Sequence, residues 1–337
     1  MSTKLLFRKR FIVTTLSLMG FLFWVYILHP LKWNPAQHRD VNKLYKNFKY
    51  HSQPGSRLMK VHKYLNNEWI IDGNICRNTA EVFITGILLN GPQGTLPIYV
   101  HSPLADQFVS GGIIREGAWE SDYVSLIHAY LLNDTSLDFV DIGANIGVYT
   151  LTMSKLGRQV IAIEPFKPNI QRLCRTLEDN RVDNHVTLVT NPLSDNRTTV
   201  VMHEQFGNIG GTHAQKTDGN VPGTLNTITL DDVYNLKPLK RVVIKMDVES
   251  YENKVLQGGK EFFDKVDVRI ILMEWVQHKQ SKDARAIISF LTERNLYPYT
   301  VEQVPLPLEL HYFAGWPNDV LWINKNPLMT WDKKLNE

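Results

Sequence analysis

The feature that most constrains the fold is a regular alternation of apolar, strand-like runs and helical patterns, which begins near Trp119. Such an alternation is typical of βαβ units, in which a helix connects two parallel strands. The predicted strands are residues 137–142, 159–164, 185–191, 241–247, 269–274, 297–304 and 319–324. The predicted helices are residues 148–156, 169–180, 251–257 and 284–294. The sequence therefore predicts an α/β fold built on a parallel sheet.

The positive charge of the chain is concentrated in its first 60 residues. These contain eleven basic residues and one acidic residue, a net charge of +10, although the whole chain is only +3. The remaining 277 residues therefore carry a net charge of −7. A nucleic-acid-binding domain needs its positive field on the folded surface. We therefore expect no nucleic-acid partner and interpret the basic segment as a leader.

Residues 11–29 of this leader contain no ionised side chain. Eighteen residues of helix extend about 27 Å, which is enough to cross a thin bilayer. No small-x-small cleavage site follows, so we predict one uncleaved transmembrane signal anchor. Because the cluster Arg8, Lys9 and Arg10 precedes the anchor, residues 1–10 are predicted to be a cytosolic tail and the rest lumenal.

The parts that follow the anchor differ in composition. Residues 30–75 are basic and contain prolines, which is typical of a stem. Residues 76–118 combine glycine-rich turns with short apolar runs and predict a small β-rich extension, and residues 119–330 form the main domain. Asn133 and Asn196 begin glycosylation sequons. Cys76 and Cys174 are interpreted as two buried thiols.

The first predicted strand runs into Asp141-Ile-Gly143-Ala-Asn145-Ile-Gly147. Glycines at this point let the backbone turn tightly and approach a ligand, and Asp141 can accept from an ammonium group. Asn145 stands where the G-x-G-x-x-G fingerprint needs its middle glycine, which disfavours a nicotinamide dinucleotide. The second predicted strand ends at Glu164, where a carboxylate can bind two ribose hydroxyls. Together the two strand ends predict a cofactor site.

A second set of ionisable residues follows the predicted strand 241–247. Lys245, Asp247 and Glu249 occupy alternate positions, which places them on one face of a strand. Burying such groups costs several kcal/mol unless they are paired or used. Glu274 and His278 reach the same edge of the sheet from the next predicted strand. This edge is therefore the candidate site of the chemistry.

Over residues 119–275 the chain resembles the class I S-adenosylmethionine-dependent methyltransferases, and more closely their FkbM-type family. The matching pieces include VDIGANIGVYT, AIEPFKPN, the turn NPLSD and the segment IKMDVES. The resemblance implies a Rossmann-like seven-stranded methyltransferase sheet that ends in a β-hairpin. The chain departs from the family pattern at Ser250, where glycine is usual, and at Pro192, where a small residue is usual.

The resemblance also implies S-adenosyl-L-methionine as the cofactor and methyl transfer to an oxygen. By position, the methionine part would lie against Asp141, Gly143, Asn145 and Gly147. The ribose would lie against Glu164, and the adenine beside Asn191, Ser194 and Asp195.

Methyl transfer to a hydroxyl requires alignment of the two reactants and a base. Asp247 or Glu249 could be the base and Lys245 could hold a carboxylate in place, while Glu274 or His278 could contact the acceptor. We predict no metal site. An alternative is a divalent cation on Asp247, Glu249 and Glu274 that lowers the pKa of the hydroxyl.

An anchor and stem followed by such a domain predict a single-pass type II Golgi membrane protein whose lumenal domain methylates a hydroxyl of a glycan sugar. Its partners would be the membrane and a glycan or glycoprotein acceptor. One alternative faces the domain to the cytosol, where it would methylate a lipid or small metabolite. Another is a catalytically inactive, membrane-tethered binding module.

Overall fold

A nine-stranded sheet forms the centre of the computed structural model, which describes residues 59–77, 82–219 and 221–326. Across the sheet the strands are β13 (Leu296–Tyr299), β14 (Asp319–Asn324), β12 (Asp267–Glu274), β11 (Arg241–Met246), β5 (Asp138–Ile142), β6 (Val160–Ile163), β7 (Val186–Val189), β1 (Val61–Leu65) and β2 (Glu68–Ile71). The strands from β12 to β1 are parallel, whereas β14 is antiparallel to both β12 and β13. The predicted Rossmann-like α/β fold with a mostly parallel sheet is confirmed.

The sheet has two strands more than the predicted seven. Both come from residues 61–71, which the sequence assigns to the stem, and β1 pairs with β7 through Val61 and Leu188. Only Val61 of β1 is fully buried. The two strands therefore carry too weak an apolar alternation to be recognised in the sequence. The stem prediction is too long at its C-terminal end, because these residues belong to the folded domain.

Helices cover both faces of the sheet. They are α1 (Val109–Glu116), α2 (Ser121–Asn133), α3 (Val148–Lys155), α4 (Lys167–Asp179), α5 (Leu230–Leu236), α6 (Glu252–Gln257), α7 (Lys260–Lys265) and α8 (Ala284–Thr292). Successive residues of β5 pack into different apolar clusters, Phe139 into one and Val140 into the other. A strand buried on both faces requires this arrangement. The sequence predicts α3, α4, α6 and α8 but not the other four.

Two smaller sheets lie beside the central one. The predicted β-rich extension contains the hairpin of β3 (Ile84–Gly91) and β4 (Gly94–Val100). A three-stranded sheet consists of β8 (Thr199–Gln205), β9 (Asn208–Lys216) and β10 (Leu225–Asn226). The predicted strand at residues 297–304 ends at Tyr299, because the chain then folds back and the Thr300 N–H donates to the Leu306 carbonyl, 2.9 Å away.

Within the described ranges, no helix has both the length and the apolar character that crossing a membrane requires. The predicted anchor at residues 11–29 and the predicted tail at residues 1–10 lie outside those ranges. Their prediction therefore rests on the sequence alone.

Cys76 and Cys174 form a disulfide, so the interpretation as two free thiols is wrong. Cys76 follows β2 and Cys174 lies in α4, with their Cα atoms 5.6 Å apart. The bond fastens the segment after the N-terminal strands to the main domain. The two cysteines are 98 residues apart, and a lone pair at that separation has no spacing signal in the sequence.

We expect replacement of both cysteines by serine to lower the free energy of unfolding by about 2–4 kcal/mol, because the unfolded chain gains the freedom of a long loop. Urea unfolding of the wild type and the double variant measures this difference. Reduction should destabilise the wild type by a similar amount and leave the double variant unchanged. Two reactive thiols in the denatured, unreduced wild type would contradict the disulfide.

Candidate active site

Two glycines shape the loop between β5 and α3. Gly143 has φ +83°, and a Cβ at this position would lie 1.9 Å from the carbonyl oxygen of Asp247. Gly147 has φ +96°, and a Cβ there would lie 2.2 Å from the side chain of Leu173. Only glycine combines this conformation with these approaches. The loop after β5 therefore packs directly against the loop after β11, at the position where the chain reverses its direction across the sheet and ligands commonly bind.

Glu164 follows β6 and is 5% exposed. Its carboxylate accepts hydrogen bonds from the backbone N–H groups of Asn145 and Phe166, both at 2.8 Å. Burial raises the pKa of Glu164 to about 7, and these two hydrogen bonds offset the rise only in part. Each carboxylate oxygen can accept a second hydrogen bond. Glu164 can therefore still accept from ribose hydroxyls, which is its predicted role.

Asp141, which the sequence predicts to contact the cofactor, is almost completely buried, with 1% of its surface exposed. Its Oδ2 accepts from the Thr150 hydroxyl at 2.5 Å, whereas its Oδ1 has no hydrogen-bond partner among the described residues. Burial raises the pKa of Asp141, and the nearby Lys245 charge partly opposes this. An unpartnered, buried carboxylate oxygen at the end of β5 is what a cationic ligand group or a bound water would satisfy.

A first cavity of about 650 Å³ lies over the carboxyl ends of β5 and β6. Gly143, Asn145 and Glu164 form one part of its wall, and the apolar side chains of Leu193 and Met202 form another. The cavity thus combines exposed backbone, a carboxylate and an apolar slot.

The predicted adenine residues are placed differently from expectation. The Asn191 amide bonds to the backbone of Tyr64 and Asn226, where it joins β1 and β10 to the end of β7. Ser194 and Asp195 do not line the first cavity, although Pro192 and Leu193 of the same turn do. The turn therefore borders this cavity through residues other than those that the sequence names.

Lys245 connects the two loops. Its Nζ donates to the Gly143 carbonyl at 3.0 Å and to Asp247 Oδ2 at 3.2 Å. Burial alone would lower the pKa of Lys245, but the carboxylates of Asp247, Asp141 and Glu120 together raise it above its usual value. Lys245 is therefore a permanent cation that holds Asp247 in place, as the sequence predicts.

The alternate positions of the acidic residues do not arise from a strand. β11 ends at Met246, and Glu249 and Ser250 have φ values of 53° and 77°. A left-handed turn therefore brings Glu249 to the site, and Ser250 adopts a conformation that glycine, the usual family residue, would adopt without strain. Burial, reinforced by Asp247 and Glu252, raises the pKa of Glu249 to about 7.

Glu274 ends β12 and faces the same group of acids. Burial and the charges of Asp247 and Glu249 raise the pKa of Glu274 to about 9. Its Oε2 is buried and has no hydrogen-bond partner among the described residues. At neutral pH this carboxyl group is therefore protonated and can donate a hydrogen bond.

His278 does not line either cavity, so its predicted contact with an acceptor is not supported by its position. It is 1% exposed, and its Nε2 lies 2.8 Å from Oε2 of the buried Glu252. The other oxygen of Glu252 accepts from the Val248 N–H at 2.8 Å. His278 thus positions Glu252, which in turn holds the loop after β11.

Three carboxylates could hold a divalent cation. Asp247, Glu252 and Glu274 each place one oxygen within 4.8 Å of the others. This set contains Glu252 where the alternative drawn from the sequence has Glu249. Glu252 reaches the set from the start of α6.

A second cavity of about 720 Å³ adjoins the first. The two share the residues Asn145, Gly210, Asp247 and Glu249. Gly210 lies near the start of β9 and borders both cavities. The acidic loop after β11 therefore lies where the two cavities meet.

Several residues of the second cavity are absent from the sequence prediction, namely Phe108, Trp119, Glu120, Tyr149 and Asn208. They come from helix starts, short connections and a hairpin rather than from strand ends. Tyr149 differs from the others because it stands in the motif VDIGANIGVYT, directly after Val148. Its place in that motif is the one sequence signal that could have identified this wall.

Residues 141–299 match the family model described as the methyltransferase FkbM domain. This part of the chain belongs to that family. The chain is therefore an S-adenosylmethionine-dependent methyltransferase. No curated protein matches it closely enough to count as a relative.

Among solved structures, three similar ones are methyltransferases. The O-methyltransferase from Bacillus cereus in complex with SAH is 11% identical, with a TM-score of 0.37 over 62% of this chain and 82% of its own. The precorrin-6y C5,15-methyltransferase from Geobacter metallireducens GS-15 is 14% identical, with a TM-score of 0.33 over 61% and 88%. An rRNA methylase from Streptococcus thermophilus is 11% identical, with a TM-score of 0.35 over 62% and 100%.

The cofactor of this methyltransferase is S-adenosylmethionine, and the first cavity fits it. Glu164 can accept from the ribose hydroxyls, and Leu193 and Met202 provide an apolar slot for the adenine. Gly143 has no side chain, so its backbone borders the space that is left for the methionine part. The individual residue roles stay predictions.

Because the pKa of Glu164 is about 7, we expect cofactor binding to weaken at low pH. The ionised carboxylate is the better acceptor for ribose hydroxyls, so the Kd should rise by up to about tenfold per pH unit below pH 7. Titration calorimetry at pH 6, 7 and 8 measures this dependence.

The Glu164→Gln variant should bind more weakly at pH 8 and lose the pH dependence. Asp138→Asn is the matched control, because burial also raises the pKa of Asp138 but this residue begins β5, away from the cavity. A wild-type Kd that stays constant from pH 6 to pH 8 would contradict the role of Glu164.

Proposed function

We propose that the chain is an O-methyltransferase that methylates a hydroxyl group of a glycan sugar in the secretory pathway. The observation that carries the proposal is the junction of the two cavities at Asp247 and Glu249. A cofactor in the first cavity and an acceptor in the second would meet at these carboxylates. Such an arrangement serves transfer between two bound molecules.

The junction offers the base that a hydroxyl acceptor needs. Bound S-adenosylmethionine supplies a methyl group on a positively charged sulfur. A sugar hydroxyl is a weak nucleophile, so a neighbouring base must take its proton. Glu249 has a pKa near the operating pH, which favours it for proton transfer, and Lys245 keeps the adjacent Asp247 oriented.

The lining of the second cavity supports a polyhydroxyl acceptor. It presents the carboxyl groups of Glu120 and Glu274 and the amide of Asn208 to hydroxyl groups. The aromatic side chain of Trp119 offers apolar surface to the C–H bonds of a ring. This combination suits a sugar better than a lipid chain, which would need a continuous apolar groove.

Two features of the described domain support a lumenal location. The Cys76–Cys174 disulfide is of the kind that persists in oxidising compartments such as the secretory pathway. The sequon residues Asn133 and Asn196 are both exposed and thus accessible to glycosylation. With the predicted anchor at residues 11–29, they support our proposal of a type II Golgi membrane protein with a glycan or glycoprotein acceptor.

We expect Asp247→Asn to lower kcat by roughly a hundredfold or more, since it removes the ion pair with Lys245 that fixes the loop carrying Glu249, the proposed base. Transfer from labelled S-adenosylmethionine to a panel of neutral oligosaccharides measures kcat, and calorimetry should show little change in cofactor binding. Asp264→Asn is the control, because the Asp264 side chain is 63% exposed. Unchanged turnover would remove Asp247 from the catalytic residues, and absence of transfer to any oligosaccharide would overturn the proposed acceptor.

The proposed topology predicts that Asn133 and Asn196 carry N-glycans in cells, because the modification takes place in the lumen. Each Asn→Gln variant should lose one gel mobility shift of the kind that an N-glycan-removing glycosidase abolishes. Thr135→Ala and Thr198→Ala should lose the same shifts. If neither site is modified while a secreted reporter in the same cells is, the domain faces the cytosol and the lipid or small-metabolite alternative is favoured.

A further inference from the structure

The second cavity carries more acidic than basic groups. Four carboxyl groups line it, those of Glu120, Asp247, Glu249 and Glu274, of which Glu274 is the protonated one, and Lys245 is the one basic side chain among the described lining residues. Lys245 is already engaged by Asp247 and the Gly143 carbonyl. An acceptor that carries a carboxylate, sulfate or phosphate would therefore enter against a negative potential, with no free cation to receive it.

Glu120 projects into this cavity from an unusual backbone conformation. It stands immediately before α2 at φ 47° and ψ 38°, the left-handed region that few non-glycine residues adopt. Among the described residues, the Glu120 side chain makes no capping hydrogen bond to the start of α2. Instead, its Oε2 accepts from the Tyr149 hydroxyl at 2.7 Å. The carboxylate is thus held at the cavity wall by a buried partner.

Trp119 forms the neighbouring wall. Its indole ring packs against α1 at Gly112, where a Cβ would lie 3.4 Å from the ring. The side chain is half-buried, and it also lines the second cavity. An aromatic face carries partial negative charge and attracts the weakly positive C–H bonds of a sugar ring. A ring surface beside a hydroxyl-accepting carboxylate is a suitable arrangement for holding a sugar.

We propose that Trp119 and Glu120 form the acceptor subsite and that the acidic cavity excludes an anionic sugar. This proposal rests on the proposed function, and it specifies the class of acceptor. Glu120 accepts hydrogen bonds from hydroxyl groups of the sugar, and Trp119 packs against its ring. Tyr149 is a positioning residue, because it acts through Glu120.

Acceptor selectivity of the wild type is the first test. Oligosaccharides that end in a neutral hexose or 6-deoxyhexose are compared with chains of equal length that end in a hexuronic acid. We expect kcat/KM to be at least about tenfold higher for the best neutral chain than for its acidic counterpart. Equal or better transfer to the uronic acid chain would overturn the proposal.

Variants test the two residues. Glu120→Gln should raise the acceptor KM roughly tenfold, since hydrogen bonds to a charged group are among the stronger ones, and it should narrow the gap between neutral and acidic chains. Trp119→Leu should raise the KM while keeping most of the packing, and Trp119→Phe should restore much of the affinity. Cofactor Kd and thermal stability should stay close to wild type.

Glu302→Gln is the matched control, because Glu302 is exposed in the loop after β13. If both Glu120→Gln and Trp119→Leu transfer methyl groups to neutral oligosaccharides with an unchanged acceptor KM, the proposed subsite is overturned. The proposed function then stays intact. Cofactor binding without transfer to any oligosaccharide would overturn both.

Discussion

The close contact between the loops after β5 and β11 is the constraint on which the site depends. Gly143 approaches the Asp247 carbonyl so closely that any Cβ would collide with it, and Lys245 binds both residues. Gly143 lines the first cavity and Asp247 lines both cavities. Separation of the two loops would therefore open both cavities at once. It would also remove the hydrogen bond from the buried Lys245 to the Gly143 carbonyl.

The same contact organises the charges around it. Lys245 lies among Asp141, Asp247 and Glu120, whose carboxylates raise its pKa and so keep it charged. One buried cation thus supports several carboxylates that burial alone would drive to their neutral form. Glu252, which His278 positions, holds the next turn through the Val248 N–H. The acidic loop is therefore fixed from both sides.

The sequence predicts the parts of this arrangement that lie at strand ends. Asp141, Glu164 and Asp247 each follow an apolar strand, and parallel strands bring their carboxyl ends to one edge. It does not predict Trp119 and Glu120, because they come from a connection between two helices that the apolar pattern leaves unassigned. It also misplaces Asn191 and His278. Their chain positions are right, but the direction of a side chain depends on packing partners such as Tyr64 and Glu252, which are distant in sequence.

Burial and mutual repulsion raise the pKa values of the carboxyl groups in the second cavity by different amounts, to about 6 for Glu120 and about 7 for Glu249. Glu274, at about 9, is the one that stays protonated at neutral pH. Groups with separated pKa values take different roles in proton transfer. In the proposed function, Glu120 would accept hydrogen bonds from hydroxyl groups, Glu249 would take a proton, and Glu274 would donate a hydrogen bond to the acceptor. A cluster of acids that titrated together could not divide these tasks, so the uneven burial around Lys245 supports the proposed transfer to a hydroxyl group.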